Sequence, residues 1–167
     1  MKNLEKNLNA LVVIILSSVM AGAFGVQLFL KEEPCPLCLL QRLGMIAVGA
    51  SLLLNVKFSV KASHYGLALL SALMGGFVAL RQISLHVCPS FSQFGIPVLG
   101  LSLYTWSFLV FVCTVLAIAL LLFLYREGDG IEDGRMNGWC RFSLGYLLIV
   151  ALANIVSTFF QCGLGSC

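Results

Sequence analysis

Charge is what this sequence has least of: Asp, Glu, Lys and Arg make up 10% of its 167 residues, against roughly a quarter in a soluble domain with a polar shell. The formal net charge is only +3, and no basic patch lies away from the flanks of apolar runs, which excludes a nucleic-acid surface. Internal repeats, low-complexity segments and glycosylation patterns are also missing. A second C-x-x-C, or another close pair of Cys and His ligands, is absent, so no metal site is expected. Leu39 stands where c-type haem attachment requires histidine after C-x-x-C. The acidic, glycine-rich stretch 127–134 (Glu-Gly-Asp-Gly-Ile-Glu-Asp-Gly) falls short of a calcium-loop pattern and reads as a connector.

What is there instead is apolar length. Hydrophobic residues fill 60% of the chain and mean hydropathy is +1.01, so lipid is the expected solvent for most of it. A spanning helix needs about 20 mostly apolar residues, and the pattern predicts five spans over 11–30, 40–56, 65–87, 103–125 and 142–161. The fold class is thus an all-α integral membrane protein. Lys and Arg near span ends tend to stay in the cytoplasm. In a five-span arrangement Lys2, Lys6, Lys57, Lys61, Arg126, Arg135 and Arg141 all fall on one side. That side is expected to be cytoplasmic, with the N-terminus on it and the C-terminus opposite. Lys2 and Lys6 ahead of an apolar run, with small residues at Met20-Ala-Gly-Ala, also resemble a cleaved signal. The run is too long for that and reads as a span. Gly22, Gly25, Gly44, Gly49, Gly75, Gly76 and Gly145 are expected to let helices approach closely in lipid.

This topology sorts the seven cysteines. Cys35, Cys38, Cys88, Cys162 and Cys167 fall on the outer face, where disulfides persist in an oxidising compartment. Cys113 lies mid-span and Cys140 at the cytoplasmic edge of the fifth span; both are expected to pack as small apolar residues.

Chemistry concentrates at Glu33-Pro-Cys-Pro-Leu-Cys-Leu-Leu-Gln-Arg42, the outer mouth of the second span. Pro36 suits a first helical turn, where a missing N–H needs no partner. The free N–H groups and positive helix end there favour a thiolate over a thiol. Two residues between the sulfurs suit a reversible, exchangeable disulfide. Arg42 follows Cys38 by one turn on the same face, deeper in the membrane, where a cation needs a reason. One reason is snorkelling to the headgroups; the other is to hold a quinone oxygen and stabilise charge developing on it. Gln41 offers a further hydrogen bond or is simply interfacial. Arg81 and Gln82, at the outer end of the third span, are candidates for lining the same site. His86 is either a proton-transfer group or an interfacial residue.

Pro34-Cys-Pro-Leu-Cys-Leu-Leu-Gln-Arg42 resembles the PCPLC-x-x-QR segment that marks DsbB-type disulfide bond formation proteins, and the likeness extends over about residues 8–125. Leu99-Gly-Leu-Ser-Leu-Tyr-Thr-Trp106 is similar to the stretch with which such proteins enter their fourth span. The resemblance implies a four-helix membrane core (1–125) around ubiquinone or menaquinone in a bacterial inner membrane. It also implies a periplasmic DsbA-like thiol:disulfide partner. Carried over by position, Cys38 is the cysteine that reacts with quinone, Cys35 its partner and Arg42 the quinone-side cation. Two departures stand out. The second outer loop holds Cys88 alone where two cysteines are usual. A connector (126–141) and a fifth span with a tail (142–167) follow the core, delivering Cys162 and Cys167 to the outer face. Cys88 with a tail cysteine is the expected second redox pair; a tail disulfide that merely fastens the fifth span is the alternative. Gln82 stands where many relatives have histidine. Two other readings stay open at this point. A vitamin K epoxide reductase-like quinone reductase is similar in 95–101, but its C-x-x-C belongs in a later span. A non-catalytic scaffold braced by outer disulfides is the third.

Overall fold

A computed structural model describes residues 2–30, 35–87, 100–125 and 137–162. Among them the chain forms five helices: α1 (Lys2–Leu30), α2 (Pro36–Lys57), α3 (Ala62–Val87), α4 (Leu103–Leu124) and α5 (Gly138–Cys162). Each contains a stretch long and apolar enough to cross a membrane: Leu4–Gln27, Pro36–Lys57, Ala62–His86, Leu103–Leu124 and Gly138–Phe159. The outward faces bear large exposed apolar side chains such as Leu70, Phe77, Phe123 and Ile149. In water such faces would be a liability; in lipid they are the solvated surface.

Several helices begin before their apolar cores, because a polar first turn still satisfies its backbone internally. α5 starts at Gly138, not 142, since Asn137 receives the Gly138 N–H on its side chain (3.2 Å) and the Arg141 N–H on its carbonyl (3.0 Å). Trp139 then stacks on Phe142 with ring centroids 6.2 Å apart, an aromatic pair suited to a membrane interface.

Polar contacts fix the up-and-down arrangement. At one end, buried Asn9 of α1 donates to Tyr65 Oη of α3 (2.7 Å) and accepts from Asn55 of α2 (3.5 Å). Asn55 Oδ1 in turn accepts from the Lys61 N–H (3.0 Å) and His64 Nδ1 (2.8 Å). Tyr65 meets Tyr125, just past α4, edge to face at 6.3 Å. Lys57, Lys61 and Arg141 lie at this end, apart from the cysteine pair that opens α2.

α2 packs most extensively on α3, and α3 on α4, while α5 lies against α1 and α2. The α2–α3 seam is close because Gly44 faces Gly75: a Cβ on Gly44 would stand 3.1 Å from Gly75 Cα and 3.3 Å from Phe111 Cζ of α4. A Cβ on Gly75 would overlap the Phe111 ring, which is itself fully buried. Gly49 makes the corresponding approach to Leu147 of α5 at 3.0 Å. Gly22, Gly25 and Gly145 have open space where a side chain would go, so close packing is not what they provide. Gly75→Val is therefore expected to destabilise the bundle by about 1–3 kcal/mol through overpacking. The thermal midpoint in detergent should fall, and recover in part when Phe111 is also shortened to Leu.

Cys140 is buried as expected, but Cys113 is exposed on the outer side of α4. The register that turns Phe111, Thr114, Ile118 and Leu121 inward points position 113 away from the bundle, so it faces lipid and does not pack in the core. The acidic stretch 127–134, the loop 88–99 with Cys88, and Cys167 lie outside the described residues.

Candidate functional site

The site grows from the first turn of α2. Cys35 is its N-cap, in extended conformation (φ −74°, ψ 151°), and Pro36 occupies the first turn. The Cys38 N–H donates to Cys35 Sγ at 3.1 Å, and the Leu39 N–H to the Cys35 carbonyl at 3.2 Å. Cys35 and Cys38 form a disulfide with Cα atoms 5.2 Å apart. Cys35 Sγ thus accepts an N–H of a helix start, where negative charge is favoured.

From α3, Gln82 reaches over both sulfurs. Its Nε2 stands 3.3 Å from Cys35 Sγ and 3.5 Å from Cys38 Sγ. Its Oε1 accepts from Gln41 Nε2 of α2 at 2.6 Å. Both glutamines are buried. With Gln41 donating to the oxygen end, the Gln82 NH2 is turned to sulfur. A charged sulfur would gain from this donor more than a neutral one does.

One turn further toward the α3 end, His86 Nδ1 lies 2.8 Å from the Gln82 carbonyl. A carbonyl only accepts, so Nδ1 carries the proton and, in a neutral ring, Nε2 keeps a lone pair. The ring stacks on Tyr104 of α4, with centroids 5.0 Å apart.

Arg42 turns from Gln41 toward α1 and α5. Its guanidinium donates to Gln27 of α1 and to Asn154 Oδ1 of α5 at 3.4 Å, and lies 5.4 Å from the centroid of the Phe24 ring. These partners are neutral. Among the described residues the only acidic side chain is Glu5, whose carbonyl is bound by Asn9 near the opposite end of α1. No described carboxylate therefore neutralises Arg42, and its charge remains available to an oxygen that becomes negative.

Of the sequence-predicted residues, the fold gathers Cys35, Cys38, Gln41 and Gln82 into one hydrogen-bonded group, with Arg42 adjoining it in sequence. Arg81 is not in it: it is exposed on α3, turned about 100° from its neighbour by helical geometry. Cys162 ends α5 in its backbone; Cys88 and Cys167 lie outside the described residues. Among the described residues no three His, Cys, Asp or Glu side chains come together. Gln27 and Asn154 were not singled out from sequence. Their signal was available: both are polar residues well inside apolar spans.

A family model described as disulfide bond formation protein DsbB matches residues 5–93, through α3. Disulfide bond formation protein B of Chromobacterium violaceum is 44% identical over 86 residues, 46% of this chain and 51% of that relative. The match thus spans about half the length of that protein. Disulfide bond formation protein B of Ralstonia nicotianae is 30% identical over 149 residues, 68% of this chain and 92% of the relative. Disulfide bond formation protein B 1 of Pseudomonas fluorescens Pf-5 is 27% identical over 150 residues, 70% of this chain and 88% of the relative. No solved structure matches the chain.

Proposed function

The chain belongs to the DsbB family of disulfide bond formation proteins, and from that membership we propose that it is a membrane thiol:quinone oxidoreductase. It reoxidises a periplasmic DsbA-like dithiol protein and passes the electrons to ubiquinone or menaquinone. The observation that carries this reading is the Gln82 amide on both sulfurs of the Cys35–Cys38 disulfide: a structural cross-link needs no oriented donor, whereas a disulfide that must leave as thiolate does.

The chemistry balances as two exchanges. A partner thiolate attacks a disulfide of the second pair, Cys88 with Cys162 or Cys167, releasing one cysteine as thiolate. The partner's second thiolate then resolves the mixed disulfide, so the partner is oxidised and the second pair reduced. Repetition between the second pair and Cys35–Cys38 leaves Cys35 and Cys38 as thiols. Quinone, when bound, takes up the two electrons and two protons that restore this disulfide. The chain's own contribution is electrostatic. The Cys38 N–H at the start of α2 donates to Cys35 sulfur, the Gln82 amide stands over both sulfurs, and Arg42 supplies a fixed positive charge for the acceptor oxygen. Gln82 has no titratable proton; among the described residues His86, whose Nδ1 is committed to the Gln82 carbonyl, is the imidazole linked to this group. The membrane is the bacterial inner membrane, with the basic end of the bundle cytoplasmic and the cysteine end periplasmic.

The fit to quinone rests on donor chemistry: a guanidinium without a carboxylate partner among the described residues and an amide over the sulfurs suit a neutral acceptor that gains negative charge on reduction.

The test is steady-state quinone absorbance with purified protein, a soluble quinone and a reduced thioredoxin-fold dithiol protein. Wild type should turn over, and Cys→Ser at 35, at 38, and at 88 or one tail position should stop it. A well-folded wild type that leaves quinone oxidised with several dithiol donors would return the cysteines to a structural role. Within the same assay, Gln82→Leu is expected to slow turnover about tenfold, the value of one charge-assisted hydrogen bond. Gln41→Leu, which frees the amide to flip, should have a smaller effect.

A further inference from the structure

The fifth helix is more than a carrier for the tail. Its buried stripe runs Cys140, Ser143, Leu147, Val150 and Asn154, a spacing of three and four that turns one face to α1 and α2. Leu147 seats against Gly49 of α2, and two turns on the same face reaches Arg42 at Asn154. The Asn154 amide is oriented: its Nδ2 donates to the Val150 carbonyl at 3.0 Å, so only Oδ1 is left for the guanidinium. Thr158 Oγ1 donates to the Asn154 carbonyl at 2.8 Å. On the opposing side Gln27 of α1 accepts from the other Arg42 nitrogen. The guanidinium is therefore held between two helices by neutral acceptors that fix its direction without cancelling its charge.

We infer that α5 is a working part of the electron-accepting site: Asn154 is a positioning residue that, with Gln27, aims the Arg42 guanidinium at the oxygen of a bound quinone. This rests on the quinone-reducing function proposed above and adds the fifth helix to it. A carboxylate at position 154 would hold Arg42 as firmly but neutralise it; an aliphatic residue would leave its charge intact but its direction free. Asparagine does neither.

The test uses the full chain in detergent. The dissociation constant of a soluble short-chain quinone is read from quenching of intrinsic tryptophan fluorescence, alongside the thermal midpoint and quinone-reduction kinetics. Asn154→Leu is expected to weaken quinone binding about tenfold, the scale of one hydrogen bond to a charged group, and to raise KM for quinone with it. Asn154→Asp is expected to keep or raise the thermal midpoint, yet also to weaken quinone binding about tenfold or more. A merely structural role predicts near-wild-type quinone affinity for folded Asp, which keeps the acceptor toward Arg42 and gives up only the Nδ2 bond to Val150. Should Asn154→Leu fail to fold, Asn154→Asp decides alone. The inference is overturned if Asp restores wild-type quinone affinity, or if folded Leu stays within twofold of wild type. A wild type that neither binds nor reduces quinone overturns the proposed function itself, and this inference with it.

Discussion

Cys38→Ser is expected to lower thiol-driven quinone reduction by on the order of 10⁴-fold or more, the scale of deleting a reacting nucleophile, while the protein stays folded. The loss is chemical: a hydroxyl cannot form the disulfide that stores the electron pair. Local structure gives serine no reason to unfold the site. Position 38 lies in the first turn of α2, where serine is at home, and at Cys35, the N-cap, serine is one of the preferred residues. The cross-link closes a very short loop, so losing it removes only about 2 kcal/mol. The measurement is quinone absorbance against the thermal midpoint for Cys35→Ser and Cys38→Ser. The midpoint should fall by only the few degrees that about 2 kcal/mol implies; a scaffold predicts that any quinone reduction is unchanged.

The second large effect is expected at Arg42. Arg42→Met keeps a long helix-forming stem and should cost about 10²–10³-fold in quinone reduction, the range for removing one preorganised donor at a site of developing charge. Stopped-flow should divide the reaction. Thiol–disulfide exchange with the partner should proceed at the wild-type rate, because Gln82 and the helix end still serve the sulfurs. Electron delivery to quinone should stall afterwards, with Cys35 and Cys38 reduced. Stability should change little, since an apolar residue in place of a buried cation without a described carboxylate partner is often neutral or favourable. If Arg42 only snorkels, neither half-reaction slows.

Much of this is legible in the sequence, for identifiable reasons. Five apolar runs of about 20 residues have the length of spanning helices, which satisfy their backbone within the segment. The C-x-x-C with Gln41 and Arg42 announces itself through spacing alone. Helix starts were less legible: α1 and α5 extend into polar residues whose caps, such as Asn137, act through hydrogen bonds and not hydropathy. Side-chain direction was least legible. Arg81 and Gln82 are adjacent in sequence, yet only Gln82 turns to the sulfurs. Cys113 was expected inside and faces out, because α4 is apolar all round and its inward face has no signature of its own. Asn154 went unnoticed for a related reason. An uncharged amide in an apolar span can satisfy itself on its own helix, as its Nδ2 does with Val150, and only packing discloses that its oxygen meets an arginine 112 positions away in sequence.

The central claim is that the Cys35–Cys38 pair gives its electrons to quinone, and a single-turnover experiment tests it most directly. A Cys88→Ser, Cys162→Ser, Cys167→Ser chain, reduced, freed of excess reductant and kept anaerobic, is mixed with one equivalent of a soluble quinone. Quinone absorbance and free thiols are followed together. The account predicts one quinone reduced and two thiols lost per chain, with the new disulfide mapped to Cys35 and Cys38. Quinone that stays oxidised beside two free thiols at those positions, in a chain with the wild-type thermal midpoint, would contradict it.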